Sequence, residues 1–169
     1  TESDMKTLVL CTNVTEYSHV YELRLSNVTY VCLDLGSFCA ASQDGVNQVD
    51  WFEYVDADST HVFNAISEKA ERWARYISAQ TQLSDSEVNY IKSVTFPLWA
   101  MTIFDFFFIQ KLLSNVQADR LLVFQQSQDI IFGNSWQSGG GFYGLTVAAE
   151  TCARTYGLEF HLLGARPIK

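Results

Sequence analysis

Arg120-Leu-Leu-Val-Phe124 is followed by a polar stretch. The chain then reads Gly139-Gly-Gly-Phe-Tyr-Gly144-Leu-Thr-Val-Ala-Ala-Glu-Thr-Cys-Ala-Arg-Thr-Tyr156-Gly157-Leu-Glu-Phe-His-Leu-Leu163. A short continuous apolar run at 121–124 suits a strand buried on both faces. Leu145 to Tyr156 has helical patterning, Gly157 stops it, and a second apolar run begins at Leu158. Strand, glycine loop, helix and strand make a pair of parallel strands joined by a crossover helix. The glycine loop falls at the carboxyl end of the first strand, where open parallel sheets place ligands.

Residues 139–144 fit G-x-G-x-x-G ahead of a helix, whose N-terminal N–H groups can hold a phosphate or carboxylate. About seven residues separate Phe132 from Gly139, where a dinucleotide fingerprint has a tight turn. Glu159 comes too early for the acid expected about 20 residues further on. A dinucleotide site, a mobile loop beside a sugar or nucleotide and a plain surface loop all stay open.

Outward from this unit, Leu8–Cys11 reads as a strand and 16–25 as a short amphipathic helix with Tyr17, Val20, Tyr21 and Leu25 inward. Val28–Leu35 is rich in strand formers, 37–50 reads as a polar loop, and Trp51–Val55 alternates as a short third strand. Asp58-Ser59-Thr60 can cap a helix running to Ile77, with Ile66, Ala70, Trp73, Ala74 and Ile77 on one face and Glu68–Arg72 and Glu71–Arg75 as i,i+4 pairs. Ser84-Asp85-Ser86-Glu87 opens a short helix over Val88–Val94, and Pro97 opens another to about Val116. That last helix is apolar nearly all round, yet Thr102, Asp105, Gln110 and Lys111 interrupt it too much for a bilayer span. It is expected in the core or under a partner. About five strands alternating with about five helices predict an α/β fold: a doubly wound, mostly parallel Rossmann-like sheet with helices on both faces. Leu8–Cys11, Tyr30–Leu35, Leu121–Phe124 and Glu159–Leu163 are expected as interior strands.

The 169 residues suffice for one domain with a real core. A net charge of −8, with eleven scattered Lys and Arg, argues against a nucleic-acid binder. The opening residues do not resemble a signal peptide. Cys11, Cys32, Cys39 and Cys152 include no C-x-x-C pair, and no His stands at ligand spacing, so no metal is expected and the thiols read as cytoplasmic. The sequons at Asn13 and Asn27 are read as chance matches.

Candidate site residues stand where strands end. Asn13, Glu16 and His19 follow the first strand, Ser37 the second, and Gln125, Gln126 and Asn134 the fourth; Ser138, Gly139, Gly140 and Gly141 form the loop. Glu16 or His19 could take a hydroxyl proton, or both could lie on a wet helix face. Asp105 in an apolar helix is costly unless it pairs with Lys111 or Arg120 or faces a cleft. Trp99 and Trp136 could stack on a sugar, with core packing the default for Trp99.

One run of residues carries a family resemblance: Pro97-Leu-Trp99, Gln117-Ala-Asp119-Arg120-Leu-Leu-Val-Phe124, Gly133-Asn134, Ala148-Ala149-Glu-Thr-Cys-Ala153-Arg154 and Tyr156-Gly157-Leu-Glu-Phe-His161. Over residues 97–164 it resembles the N-terminal domain of bacterial surface-carbohydrate glycosyltransferases of the two-domain GT-B architecture, which make capsule or lipopolysaccharide sugars. No arginine follows Gly133-Asn134-Ser135, where that family often has an Asn-Gly-Arg-like loop. The resemblance implies a single Rossmann-like domain, the N-terminal half of a two-domain enzyme. It would hold the sugar acceptor, while a second domain holds the sugar nucleotide. No cofactor, no nucleic acid and no transmembrane segment are expected, and room is left for peripheral membrane association. A stand-alone α/β domain binding a small molecule or nucleotide, and a non-catalytic domain docking a partner through helix 98–113, are the alternatives.

Overall fold

The computed structural model describes residues 5–54, 59–125 and 143–164. The elements run β1 (Thr7–Cys11), α1 (Val14–Glu22), β2 (Val28–Cys32), α2 (Leu35–Gln43), β3 (Gln48–Val49), a 3-10 turn (Trp51–Tyr54), α3 (Ser59–Thr81), α4 (Asp85–Asn115), β4 (Arg120–Phe124), α5 (Tyr143–Tyr156) and β5 (Glu159–Leu163). All strand pairs are parallel, in the order β3-β2-β1-β4-β5. This is a doubly wound, Rossmann-like α/β sheet. Strand order reverses between β1 and β4, so the crevice at their carboxyl ends is the topological switch point, where such sheets bind ligands.

The two faces of the sheet have separate cores because successive residues of a strand point to opposite sides. Val9, Cys11, Tyr30, Cys32, Leu122 and Phe124 pack with Tyr17 and Val20 of α1 and Ala41 of α2. Leu8, Leu10, Val31, Leu121 and Val123 pack with Phe108, Ile109 and Leu112 of α4 and with Leu145, Ala149 and Cys152 of α5. Cys11 and Cys32 face each other across β1 and β2 as fully buried free thiols. Burial pushes both up, Cys32 to about 11, so they are protonated core residues at neutral pH.

Several expectations need correction. Asp34 does not extend β2. Its carboxylate accepts from Gly36 N and Ser37 N and so starts α2, and residues 35–43 are helix rather than loop. The third strand is Gln48–Val49, and Trp51–Tyr54 winds as a 3-10 turn, placing Trp51 edge-on to Phe108 at 6.1 Å. Helix α4 runs unbroken through Pro97, as one 31-residue element instead of two. Among the described residues β5 pairs only with β4 and is an edge strand, with Leu162 and His161 exposed. Tyr21 and Leu25 point outward, leaving Tyr17 and Val20 as the buried residues of α1.

Candidate functional site

The carboxyl ends of β1 and β4 bring together Thr12, Asn13, Glu16, His19, Phe124 and Gln125. Asn13 is the N-cap of α1, its Oδ1 accepting from Glu16 N at 3.0 Å. The Glu16 side chain reaches back over the cap. Its Oε2 accepts from Thr12 N at 2.6 Å and from Thr12 Oγ1 at 2.9 Å. This is a capping box displaced by one residue, and it follows from the spacing Asn13-x-x-Glu16. His19 lies one turn further along α1, half-buried, its ring edge-on to Phe124 at 6.0 Å. Gln125 N is committed to Leu163 O at 2.8 Å.

The neighbouring helix repeats the device. Asp34 caps α2, binding Gly36 N at 3.0 Å and Ser37 N at 3.2 Å, and the Ser37 hydroxyl also bonds its carboxylate. A Cβ on Gly36 would sit 3.0 Å from Asp34 Oδ2, so glycine there makes room for the cap. Helix N-termini are natural anion sites; the α2 N-terminus is already filled by the Asp34 carboxylate, and the α1 N-terminus is capped by Asn13 Oδ1 with the Glu16 carboxylate just ahead of it on Thr12. A phosphate brought to either would meet that negative charge and would have to displace the cap.

Asp105 stands across the sheet from these groups, on the α4 layer. It is 6% exposed and continues the buried stripe of Phe108, Ile109 and Leu112 by one turn. Its height follows from helix geometry. Val116, at the end of α4, borders the amino edge of the sheet beside Lys6 and Asp119. Eleven residues at about 1.5 Å each span about 16 Å, close to the about 17 Å of a five-residue strand. Asp105 is thus level with the carboxyl edge. Among the described residues its Oδ2 has no hydrogen-bond partner. Burial raises its carboxyl to about 7. The pairing with Arg120 is not made: Arg120 donates to Thr7 Oγ1 at 3.0 and 3.2 Å, at the other end of the strands. Lys111 lies six residues along α4, on a different face from Asp105.

Of the residues singled out from sequence, Asn13, Glu16 and His19 come together, and Asp105 shares their edge from the opposite layer. Gln126, Asn134, Trp136, Ser138, Gly139, Gly140 and Gly141 lie outside the described residues. Trp99 packs edge-on to Trp73 at 6.4 Å between α3 and α4, away from the switch point. His161 is an exposed edge residue paired with Glu159 at 2.5 Å. Thr12 and Asp34 were missed. The signal for Asp34 was present as an Asp three residues ahead of Ser37, but the apolar run Val28–Leu35 hid it.

Among the described residues no group of His, Cys, Asp and Glu is arranged to hold a metal ion. Nor is any described helix long and apolar enough to cross a membrane. Compared with protein-family models, curated proteins and solved structures, the chain matches none.

Proposed function

We propose that the carboxyl edge binds a neutral, hydroxyl-rich small molecule, and that the chain is the acceptor-binding N-terminal domain of a cytoplasmic glycosyltransferase of surface-polysaccharide synthesis. The observation that carries the ligand class is a carboxylate at each of these turns: Asp34 fills the α2 N-terminus, and Glu16 binds Thr12 just ahead of the Asn13-capped α1. In this fold the first strand–helix turn is where a dinucleotide's pyrophosphate sits. Here that position offers a carboxylate, an amide and a hydroxyl, which suit sugar hydroxyls and disfavour phosphate.

On this reading the sugar nucleotide is held by a second domain. The acceptor hydroxyl attacks the sugar's anomeric carbon, and the nucleotide leaves with the bonding electron pair. The hydroxyl proton must pass to a base at the crevice. Asp105 and His19 are the groups at this edge suited to take it. Asp105 is ionised over half its population near pH 7, which is where a general base works best.

The test is an amide NMR titration of the whole chain with neutral oligosaccharides and, separately, with sugar nucleotides. The expected outcome is saturable shifts at Thr12, Asn13, His19 and Gln125 with a neutral glycan. Tighter binding of a sugar nucleotide at those same amides would overturn the reading in favour of a stand-alone nucleotide-binding domain.

A further inference from the structure

The opposite edge of the sheet carries a depression of its own. Its volume is about 840 Å³, and it opens where β1 and β2 begin. That lies within the range of small-molecule pockets, roughly 300–1,000 Å³. Among the described residues its lining includes two cations, Lys6 and Arg24, and no acidic residue, although the chain carries a net charge of −8. On the Lys6 side the Asp119 carboxylate accepts from Lys6 N at 2.8 Å and borders the adjoining hollow.

The rim is built at a conformational cost. Arg24 and Asn27 both have left-handed backbone, at φ 49° and 52°, and both line the depression. Such backbone is unfavourable for a non-glycine residue, less so for Asn. Paired outliers of this kind gather at ligand clamps. Beneath them the aromatic floor is fixed. Tyr17 stacks on Tyr21 at 5.8 Å and meets Tyr30 edge-on at 5.2 Å, and its hydroxyl is anchored on Asp44 Oδ2 at 2.7 Å. Tyr21 and Tyr30 both face the depression. Lys6 Nζ is steadied by Gln117 Oε1 at 3.0 Å, which leaves it further protons to donate.

We propose that this amino-edge depression is a second binding site, for a small organic anion with a ring or short apolar body. Lys6 and Arg24 hold the carboxylate or phosphate head, and Tyr21 and Leu25 lie against the body. The site is a strand's length from the switch point and does not rest on the function proposed for the carboxyl edge.

The probes are phenyl phosphate, benzoate and benzyl alcohol, added to the full chain while its amides are followed by NMR. Saturable shifts are expected over Tyr21–Thr29, Lys6 and Asn47 with the two anions and not with the alcohol. The stronger of the two anions tells phosphate from carboxylate chemistry. Lys6→Ala should weaken binding about tenfold, as expected for one charge-assisted hydrogen bond, and Lys6→Arg should restore most of it. Arg24→Gly removes the charge while relieving the left-handed strain, so it should fold at least as well as the parent and still bind about tenfold more weakly. Two results would overturn the site. One is the absence of saturable shifts. The other is a response shared equally by Lys69 and Arg72 on α3, which marks unspecific counterion binding.

Discussion

The two ends of α4 have different surroundings although they belong to one helix. From Asp105 to Asn115 the helix lies over the sheet and beside α5, and Phe108, Ile109, Leu112 and Leu113 are buried. From Asp85 to Phe104 its contacts are with α3 in an antiparallel hairpin, which runs past the sheet's carboxyl edge. There Tyr90, Val94 and Phe104 are exposed, as are Phe63, Trp73 and Tyr76 on α3. The hydrophobic run of the sequence straddles the boundary. What buries a side chain is the number of layers around it: a helix between a sheet and two helices hides most of its surface, and a helix in a two-helix hairpin hides one stripe.

The largest effect that would sharpen this contrast is a pair of truncations. Phe108 is 4% exposed and packs on Trp51, so Phe108→Ala should cost about 3–5 kcal/mol. Phe104, 40% exposed on the same helix, should cost under about 1 kcal/mol when changed to Ala. Urea unfolding of both variants measures the difference. Equal losses would mean that the projecting half is covered as thoroughly as the other.

Next in size is Asp105, at the boundary itself. Its folded pKa, about 7, lies above the unfolded value near 3.8 because burial disfavours the charge. Its contribution is therefore fully present below about pH 4 and is lost as pH rises through 7. The loss is at most about 4 kcal/mol for a shift of this size. Asp105→Asn should be close to neutral at pH 3, where the carboxyl is protonated folded and unfolded, and clearly stabilising at pH 8, flattening the pH profile of the unfolding midpoint. A variant no more stable than the parent at pH 8 would show that the carboxylate is solvated or partnered.

How far such features could be read from sequence depends on whether the signal was local. The parallel sheet was legible because β1, β4 and their continuous apolar runs have few other solutions. The i,i+4 pairs Glu68–Arg72 and Glu71–Arg75 were legible too, and both form, at 2.5 and 2.9 Å. Of the site, Asn13, Glu16 and His19 were found by position after a strand. That the Glu16 carboxylate lies on Thr12, just ahead of the α1 cap, was not, since it depends on which backbone N–H it reaches. The break at Pro97 was misread because proline's local penalty was weighed without the packing that α3 supplies across it. Asp34 was lost to the strand signal in front of it.

Pro97 gives the third effect. It cannot donate to the carbonyl one turn earlier, yet α4 continues through it. Ser93 Oγ and Thr95 Oγ1 back-bond to Asn89 O and Ile91 O in the preceding turns, a pattern that bends helices. Pro97→Ala should raise stability by about 1–2 kcal/mol, less than the full helix-interior penalty because proline also restricts the unfolded chain. A loss of stability would mean that a bend at Pro97 is what fits α4 to both its neighbours.

The smallest effect lies on the exposed side of the hairpin. Glu71 on α3 meets Lys92 on α4 and Arg75 on its own helix, the latter at 2.9 Å. This is a tie between the two helices made of charge rather than apolar contact. Hydrogen bonds from Lys92 and then Arg75 hold the Glu71 carboxyl below its usual range. A depressed carboxylate contributes stability above its unfolded pKa and loses it as pH falls through the folded one. Glu71→Gln should therefore lower the unfolding temperature slightly at neutral pH and low salt. Its effect should shrink as pH falls below the ordinary carboxylate range, and vanish in about 1 M salt, where the screening length falls to about 3 Å. Solvent around these side chains keeps the effect small. A drop that persists in high salt would show that Glu71 is needed for the packing of the hairpin. The projecting half of α4 would then depend on a polar contact where the sheet-covered half depends on Phe108.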